Sequence, residues 1–198
     1  SLMAAAMLTT TVATIAPMSV SAGQVLGEND FTYKALPWHT CETNPAKQTF
    51  ELTSDGTFHV TVKEPGGVAA GGESRWDLQF RHRNLTFKAG HTYKIHWEVK
   101  VSRPGIQINT KIGNIKGDEE YWNNNNAGPH GGGTWNPIIT INSTEWQKFD
   151  STWTCPQNLE GVEWAFHYGG AGANQPTPCT QSGDEIWFDN MSIQMRSE

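Results

Sequence analysis

Apolar residues recur at every second position through most of the chain. Phe58, Val60 and Val62 share one face, as do Tyr93, Ile95, Trp97, Val99 and Val101. Ile106, Ile108 and Ile112 repeat the pattern, and so do Val162, Trp164, Phe166 and Tyr168. A period of two marks a strand with one buried and one wet face. In the stretch RWDLQFRHR the rule assigns Trp76, Leu78 and Phe80 to the core. Arg75, Asp77, Gln79 and Arg81 then fall on the opposite face, with Arg83 close behind. Helical periodicity is absent. Turn sequences separate the runs, among them Asp55-Gly56, Pro65-Gly66-Gly67, Arg103-Pro104-Gly105 and Lys116-Gly117-Asp118. The pattern predicts an all-β fold, a β-sandwich or jelly roll of two antiparallel sheets. Trp97, Trp153, Trp164 and Trp187 are assigned to core or sheet packing, while Trp38 and Trp146 remain open.

Two segments are too polar and too rich in Gly or Asn to be strands: 116–137 and 169–184. Loops of this length in a compact domain usually carry function. The first contains Tyr121, Trp122 and Trp135 in surroundings with little apolar cover, which is a binding signal for flat ligands. One of the three is expected to pack back onto the sheet.

Composition narrows the picture. The 198 residues suit one domain, and 17% charged residues, 20 Gly and 9 Trp fit a turn-rich β protein. A net charge of -6 argues against a nucleic-acid binder and fits a neutral ligand better than a polyanion. Residues 1–22 are apolar and small and end in Ser19-Val20-Ser21-Ala22. They read as a signal-peptide-like leader, with 23–198 as a single domain and export to a secreted location. A membrane anchor fits less well, because Thr and Ser are frequent and Pro17 interrupts the run. Export permits a disulfide among Cys41, Cys155 and Cys179; Cys41–Cys179 and Cys155–Cys179 are both open.

Several stretches in order resemble carbohydrate-binding modules of the family 4/9 type. GENDFTYKALPWH resembles their entry strand, and SRWDLQFRHRNLTFKAGHTYKIHWEVKV their central strand pair. WAFHYGG and IWFDNMSI resemble the last two strands. The resemblance covers most of residues 24–195. It implies a non-catalytic jelly roll that binds single β-glucan or xylan chains along a concave face, joined to the catalytic module of a secreted plant cell-wall hydrolase. It places Asp77, Gln79, Arg81, Asn109, Lys111, Glu163 and His167 in the cleft, with Ala165 leaving room for a sugar ring and Trp122, Trp135 and Tyr121 stacking on sugar faces. It further implies a structural calcium ion held by Asp30, the carbonyl of Gly56 and the carboxylate of Asp189. Asp189 has the alternative of capping a strand through backbone hydrogen bonds.

Three rival readings stand beside this. Arg81, Asp77, Lys111 and Glu163 also suit a solvated ion-pair lattice, at about 0.2–1 kcal/mol per pair. A jelly-roll glycoside hydrolase needs two facing carboxylates, and Glu163 with Asp77 or with Glu119 is the pairing to examine. A cell-surface protein-interaction sandwich is compatible with the composition, since fold does not dictate function.

Overall fold

The computed structural model describes residues 25–123 and 138–196. The leader assigned to residues 1–22, Trp135 and His130 lie outside the described residues. All described regular structure is strand, apart from two short 3-10 turns at Val68–Ala70 and Arg75–Asp77.

Two antiparallel sheets face each other. The first runs β10 (Gln147–Thr154), β6 (Thr92–Val101), β12 (Glu185–Met195), β4 (Phe58–Glu64) and β3 (Lys47–Leu52). The short β1 (Val25–Asn29) continues the β4 side by pairing the C-terminal half of β12. The second runs β2 (His39–Glu42), β5 (Leu78–Phe87), β11 (Leu159–His167), β7 (Ile106–Gly113) and β8 (Glu120–Asn123), with β9 (Ile138–Ile141) on the other end of β7. This is the expected sandwich.

The inward faces carry the alternating apolar residues, because only that register removes them all from water. Phe58, Val60, Val62, Ile95, Val99 and Val101 meet Leu78, Phe80, Ile108, Trp164 and Phe166 between the sheets, all fully buried. Trp38 joins them: it stacks on Phe80 at 4.6 Å, meets Trp164 edge-on at 5.1 Å, and donates its indole N–H to the Gly27 carbonyl. Trp97, Trp153 and Trp164 are core residues, as expected. Trp187 packs on the outer face of its sheet, stacked on His59 at 4.5 Å.

Four expectations need correction. Trp76 is not a core residue. The strand begins only at Leu78, because Arg75–Asp77 form a 3-10 turn, so the alternation does not extend back to residue 76. Trp122 and Tyr121 are not loop aromatics: both lie on β8 and are buried, Trp122 to 1% exposure. Trp122 pairs with Ile112 and donates its indole N–H to Ser151 Oγ of the opposite sheet, 3.3 Å away, closing one side of the sandwich. Asp77 is buried beneath the turn rather than facing the cleft. Finally, all three cysteines are free thiols, with Cys155 and Cys179 buried.

Candidate functional site

The outer face of the second sheet carries rows of polar side chains set by strand register. His39, Arg81, Ala165, Lys111 and Asn123 lie side by side across β2, β5, β11, β7 and β8. A neighbouring row brings Cys41, Gln79, His167 and Asn109 together. Glu163 lies beyond, opposite Gly113, with Arg83 at 3.7 Å across the β5–β11 bulge. Gln79, Arg81, Lys111, Glu163 and His167 therefore line one cleft of about 290 Å³, as the alternation implied. Asn109 shares the face and is fully buried. At the centre, Ala165 supplies no side chain beyond Cβ between Arg81 and Lys111.

One wall of the cleft comes from the turn before β5, which pattern reasoning missed. Asp77 Oδ2 accepts backbone N–H bonds from Gly67 and Glu73, each 2.8 Å, and so folds residues 67–77 back on themselves. The loop after β11 packs against this turn. Gly169 donates to the Arg75 carbonyl at 2.7 Å and Gly170 to the Pro65 carbonyl at 2.8 Å. A Cβ on Gly170 would lie 2.1 Å from the Gly66 carbonyl oxygen, so the two backbones meet with no space for a side chain. This close fit aims Arg75 and Trp76 into the cleft. Gln175 takes a 3.3 Å bond from Arg75 Nη1, and the Arg75 guanidinium sits 5.5 Å from the centre of the Trp76 ring. Trp76 is 38% exposed, with its indole N–H bonded to Glu73. The run Gly-Gly-Glu-Ser before it was the available signal, since such a cluster breaks a strand pattern.

We expect Asp77→Ala to lower stability by about 2 kcal/mol, because two backbone donors lose their buried acceptor. Asp77→Asn, which keeps one acceptor oxygen, should recover most of that loss. Urea denaturation of the two variants checks this; equal stability of Asp77→Ala and wild type would remove Asp77 as the holder of the turn.

The cleft's electrostatics follow from burial. Arg75, Arg81, Arg83, Lys111 and Lys116 face Glu73, Glu120 and Glu163. Burial pushes the Lys111 ammonium below its ordinary value; Glu163 and Glu120 oppose this, while Arg75 and Arg81 reinforce it. Burial is also the main cause holding His167 well below the usual imidazole range, aided by Lys111, Arg75 and Arg81. His167 is therefore a neutral ring, able to accept at one nitrogen and donate at the other. His167 Nδ1, Arg75 Nε and Glu163 Oε2 are buried with no hydrogen-bond partner among the described residues. Buried polar atoms are usually satisfied, so these orphans point to a hydrogen-bonding guest.

Of the carboxylates named for the hydrolase reading, Asp77 and Glu119 are both engaged elsewhere. Asp77 is under the turn, and Glu119 is held by the Tyr121 hydroxyl at 2.6 Å. The bond to Glu119 is the first cause raising the Tyr121 phenol to about 12, since ionisation would set two anions together. Tyr121 is thus tied into the scaffold.

Asp30, Gly56 and Asp189 gather at the opposite sheet. A Cβ on Gly56 would lie 3.2 Å from Thr32 Oγ1 and 3.8 Å from the Asp30 carbonyl, so the two turns touch. The Asp189 carboxyl is raised to about 6, first by burial and then by repulsion from Glu98, Asp30 and Asp55. Asp189 also accepts the Asn190 N–H at 2.8 Å, the capping role considered for it. No group of three or more His, Cys, Asp or Glu side chains suited to a metal occurs among the described residues. The Asp30 and Asp189 carboxylates and the Asp30 carbonyl beside Gly56 are oxygen donors of the kind a hard cation takes.

A β-sandwich with a polar groove across one sheet and an indole at its mouth suits a saccharide, whose edges carry hydroxyls and whose faces are apolar. Comparison with known proteins agrees: the model of the carbohydrate binding domain family CBM_4_9 matches residues 23–178, and the chain belongs to that family. A cellulose 1,4-beta-cellobiosidase of Acetivibrio thermocellus is 30% identical over 160 aligned residues, which cover 72% of this chain and 16% of that enzyme. Among solved structures, a CBM4 domain shares 19% identity with a TM-score of 0.60, covering 87% of this chain and 95% of its own. The N-terminal cellulose-binding domain of Cellulomonas fimi β-1,4-glucanase C shares 15% identity with a TM-score of 0.52, covering 87% and 97%. These likenesses establish the fold. No helix among the described residues is long and apolar enough to cross a membrane.

Proposed function

We propose that this domain binds single β-linked glucan chains in the Trp76–Ala165 cleft, without cleaving them, and serves as the targeting module of a secreted cell-wall hydrolase. One observation carries the reading: buried polar atoms with no hydrogen-bond partner among the described residues line a groove whose mouth presents an exposed indole. Hydroxyls at a sugar's edge would satisfy Arg75, Glu163 and His167 while its flat C–H face covers Trp76. The cellobiosidase relative supports attachment to a hydrolase and a β-1,4-glucan ligand, since this chain spans only 16% of that enzyme. The reading without cleavage is supported by the family, whose matching model is that of a carbohydrate binding domain. Glu163, 3.7 Å from Arg83, shares the cleft with Glu120 and Glu73, so the assay for released reducing ends is the direct check.

Affinity electrophoresis in gels containing hydroxyethylcellulose, barley β-glucan, xyloglucan or xylan tests the proposal. Retardation by a glucan is expected, with no release of reducing ends. Migration unchanged in every gel would return the domain to the protein-interaction reading, and reducing-sugar release lost in Glu163→Gln would make it a hydrolase.

A bound calcium ion forms part of the same proposal, with Asp30, the Gly56 carbonyl and Asp189 as its holders. A carboxyl raised to about 6 in the folded state from an ordinary 3.8 binds its proton more tightly when folded. Its effect without metal is therefore a loss of stability as pH rises from about 4 to about 6, complete above that range. Solvent screening at this half-buried site leaves about 1 kcal/mol, or ~2–4 °C in Tm. Calcium should reverse the loss at pH 7, and Asp189→Asn should abolish both the pH slope and the calcium response. Melting curves in EDTA and in calcium that coincide at pH 7 would rule the ion out.

A further inference from the structure

We infer that the chain bound in this cleft carries carboxylate groups: the ligand is a β-linked polysaccharide with uronic acid residues or substituents. The inference rests on the cleft being the saccharide site and departs from the glucan of the proposed function, since an unsubstituted glucan carries no carboxylate.

The whole chain has a net charge of -6, which by itself favours a neutral ligand. The cleft departs from that balance. Its lining holds five cations against three carboxylates. Lys116 is exposed and paired with Asp118 at 3.3 Å, and Arg83 lies 3.7 Å from Glu163, which leaves Arg75, Arg81 and Lys111 as the cations that matter. Residues 124–137 contain no Asp, Glu, Lys or Arg, so that segment leaves the formal count unchanged wherever it lies. Several of these cations are also poorly compensated. Arg75 is 6% exposed and Lys111 3% exposed, yet among the described residues neither they nor Arg81 has a carboxylate within 4.0 Å. A buried cation without an adjacent anion is costly to maintain.

Arg75 is held ready for an anion. Its Nη1 is engaged by Gln175 and its guanidinium lies beside the Trp76 ring, while its Nε is buried and without a hydrogen-bond partner. Arg81 is similarly braced, with Nε on His39 at 3.1 Å and Nη1 on Gln79 at 3.3 Å. Both bracing groups are acceptors without a carboxylate, so they orient the guanidinium without pairing its charge. Neutral hydroxyls suffice for His167 and Gln79; a carboxylate on the guest would give Arg75 and Arg81 the adjacent anion that Glu120 and Glu163 do not supply within 4.0 Å.

The test is isothermal titration calorimetry with glucuronoxylan and with the same polymer after chemical reduction of its carboxyls to alcohols. Barley β-glucan serves as a third ligand. Binding to the native acidic polymer is expected to be at least about tenfold tighter than to its reduced form, with the ratio shrinking as salt is raised from low to physiological levels. Arg75→Gln should bring that ratio close to one, and Arg81→Gln should lower it; melting curves would establish that both variants are folded. Equal affinity for native and reduced polymer overturns the inference while leaving the saccharide site intact. Binding to barley β-glucan alone does the same. Failure to bind all three polymers removes the saccharide reading, and this inference with it.

Discussion

Phe80→Ala is expected to lower the free energy of unfolding by about 3–5 kcal/mol, the largest single effect foreseen for this domain. Phe80 lies at the centre of the inter-sheet core. Its ring is 4.5 Å from Phe58 and from Phe188, 4.6 Å from Trp38, 5.9 Å from Phe166 and 6.0 Å from Phe31. Those partners come from both sheets and from the β1–β2 connection, so truncation leaves a cavity that no single strand can close by shifting. The consequence reaches the cleft, because Phe80 sits between Gln79 and Arg81 on β5 and fixes which way they point. Urea denaturation gives the stability change, and ligand titration below the melting range gives its effect on binding. A loss under about 1 kcal/mol would show that the aromatic core repacks freely and that the sheets are held elsewhere.

Trp76→Ala should act the other way round, weakening ligand binding by about 10–100-fold with little change in stability. A sugar face laid on an indole removes roughly 100 Å² from water, worth about 2.5 kcal/mol at ~25 cal/mol per Å². Each 1.4 kcal/mol is a factor of ten in affinity. Trp76 is 38% exposed and stands outside the sandwich core, so little packing is lost with it. Trp76→Phe, which keeps a flat face but loses the bond to Glu73, should retain most of the affinity. Calorimetry on the tightest ligand from the gels measures both variants. Affinity within twofold of wild type in Trp76→Ala would place the bound chain away from this wall, and the groove would lose its stacking platform.

Trp76 and Trp122 show where sequence patterns stop being informative. The alternation through Leu78 and Phe80 is real, but extended two residues backwards it assigns Trp76 to the core. A turn stabilised by Asp77 ends the strand first, and its acceptor bonds to Gly67 and Glu73 are contacts between residues four and ten positions apart. Trp122 errs in the opposite sense. Its polar neighbours suggest exposure, whereas pairing with Ile112 and a bond to Ser151 of the other sheet bury it. Neither partner is visible from the residues around it.

The cleft floor lies between these cases. Gln79, Arg81, Lys111, Glu163 and His167 were legible because the side opposite a buried strand face must point outward, and the order of strands in the resembled family set them adjacent. Their chemistry was not legible. Whole-chain charge averages the acidic surface with a cationic groove, and only the packing of the loop after β11 on the turn before β5 draws Arg75 and Gln175 into it.

The sequence by itself determined the fold class and the alternating strand residues of the core, because a period of two is a local property and burying it has few solutions. Tertiary structure alone decided which polar face became a groove, which tryptophan stands at its mouth and where the cations go without partners. Those features depend on contacts between segments distant in the chain, such as Arg75 with Gln175, and no local pattern encodes a distance between two loops.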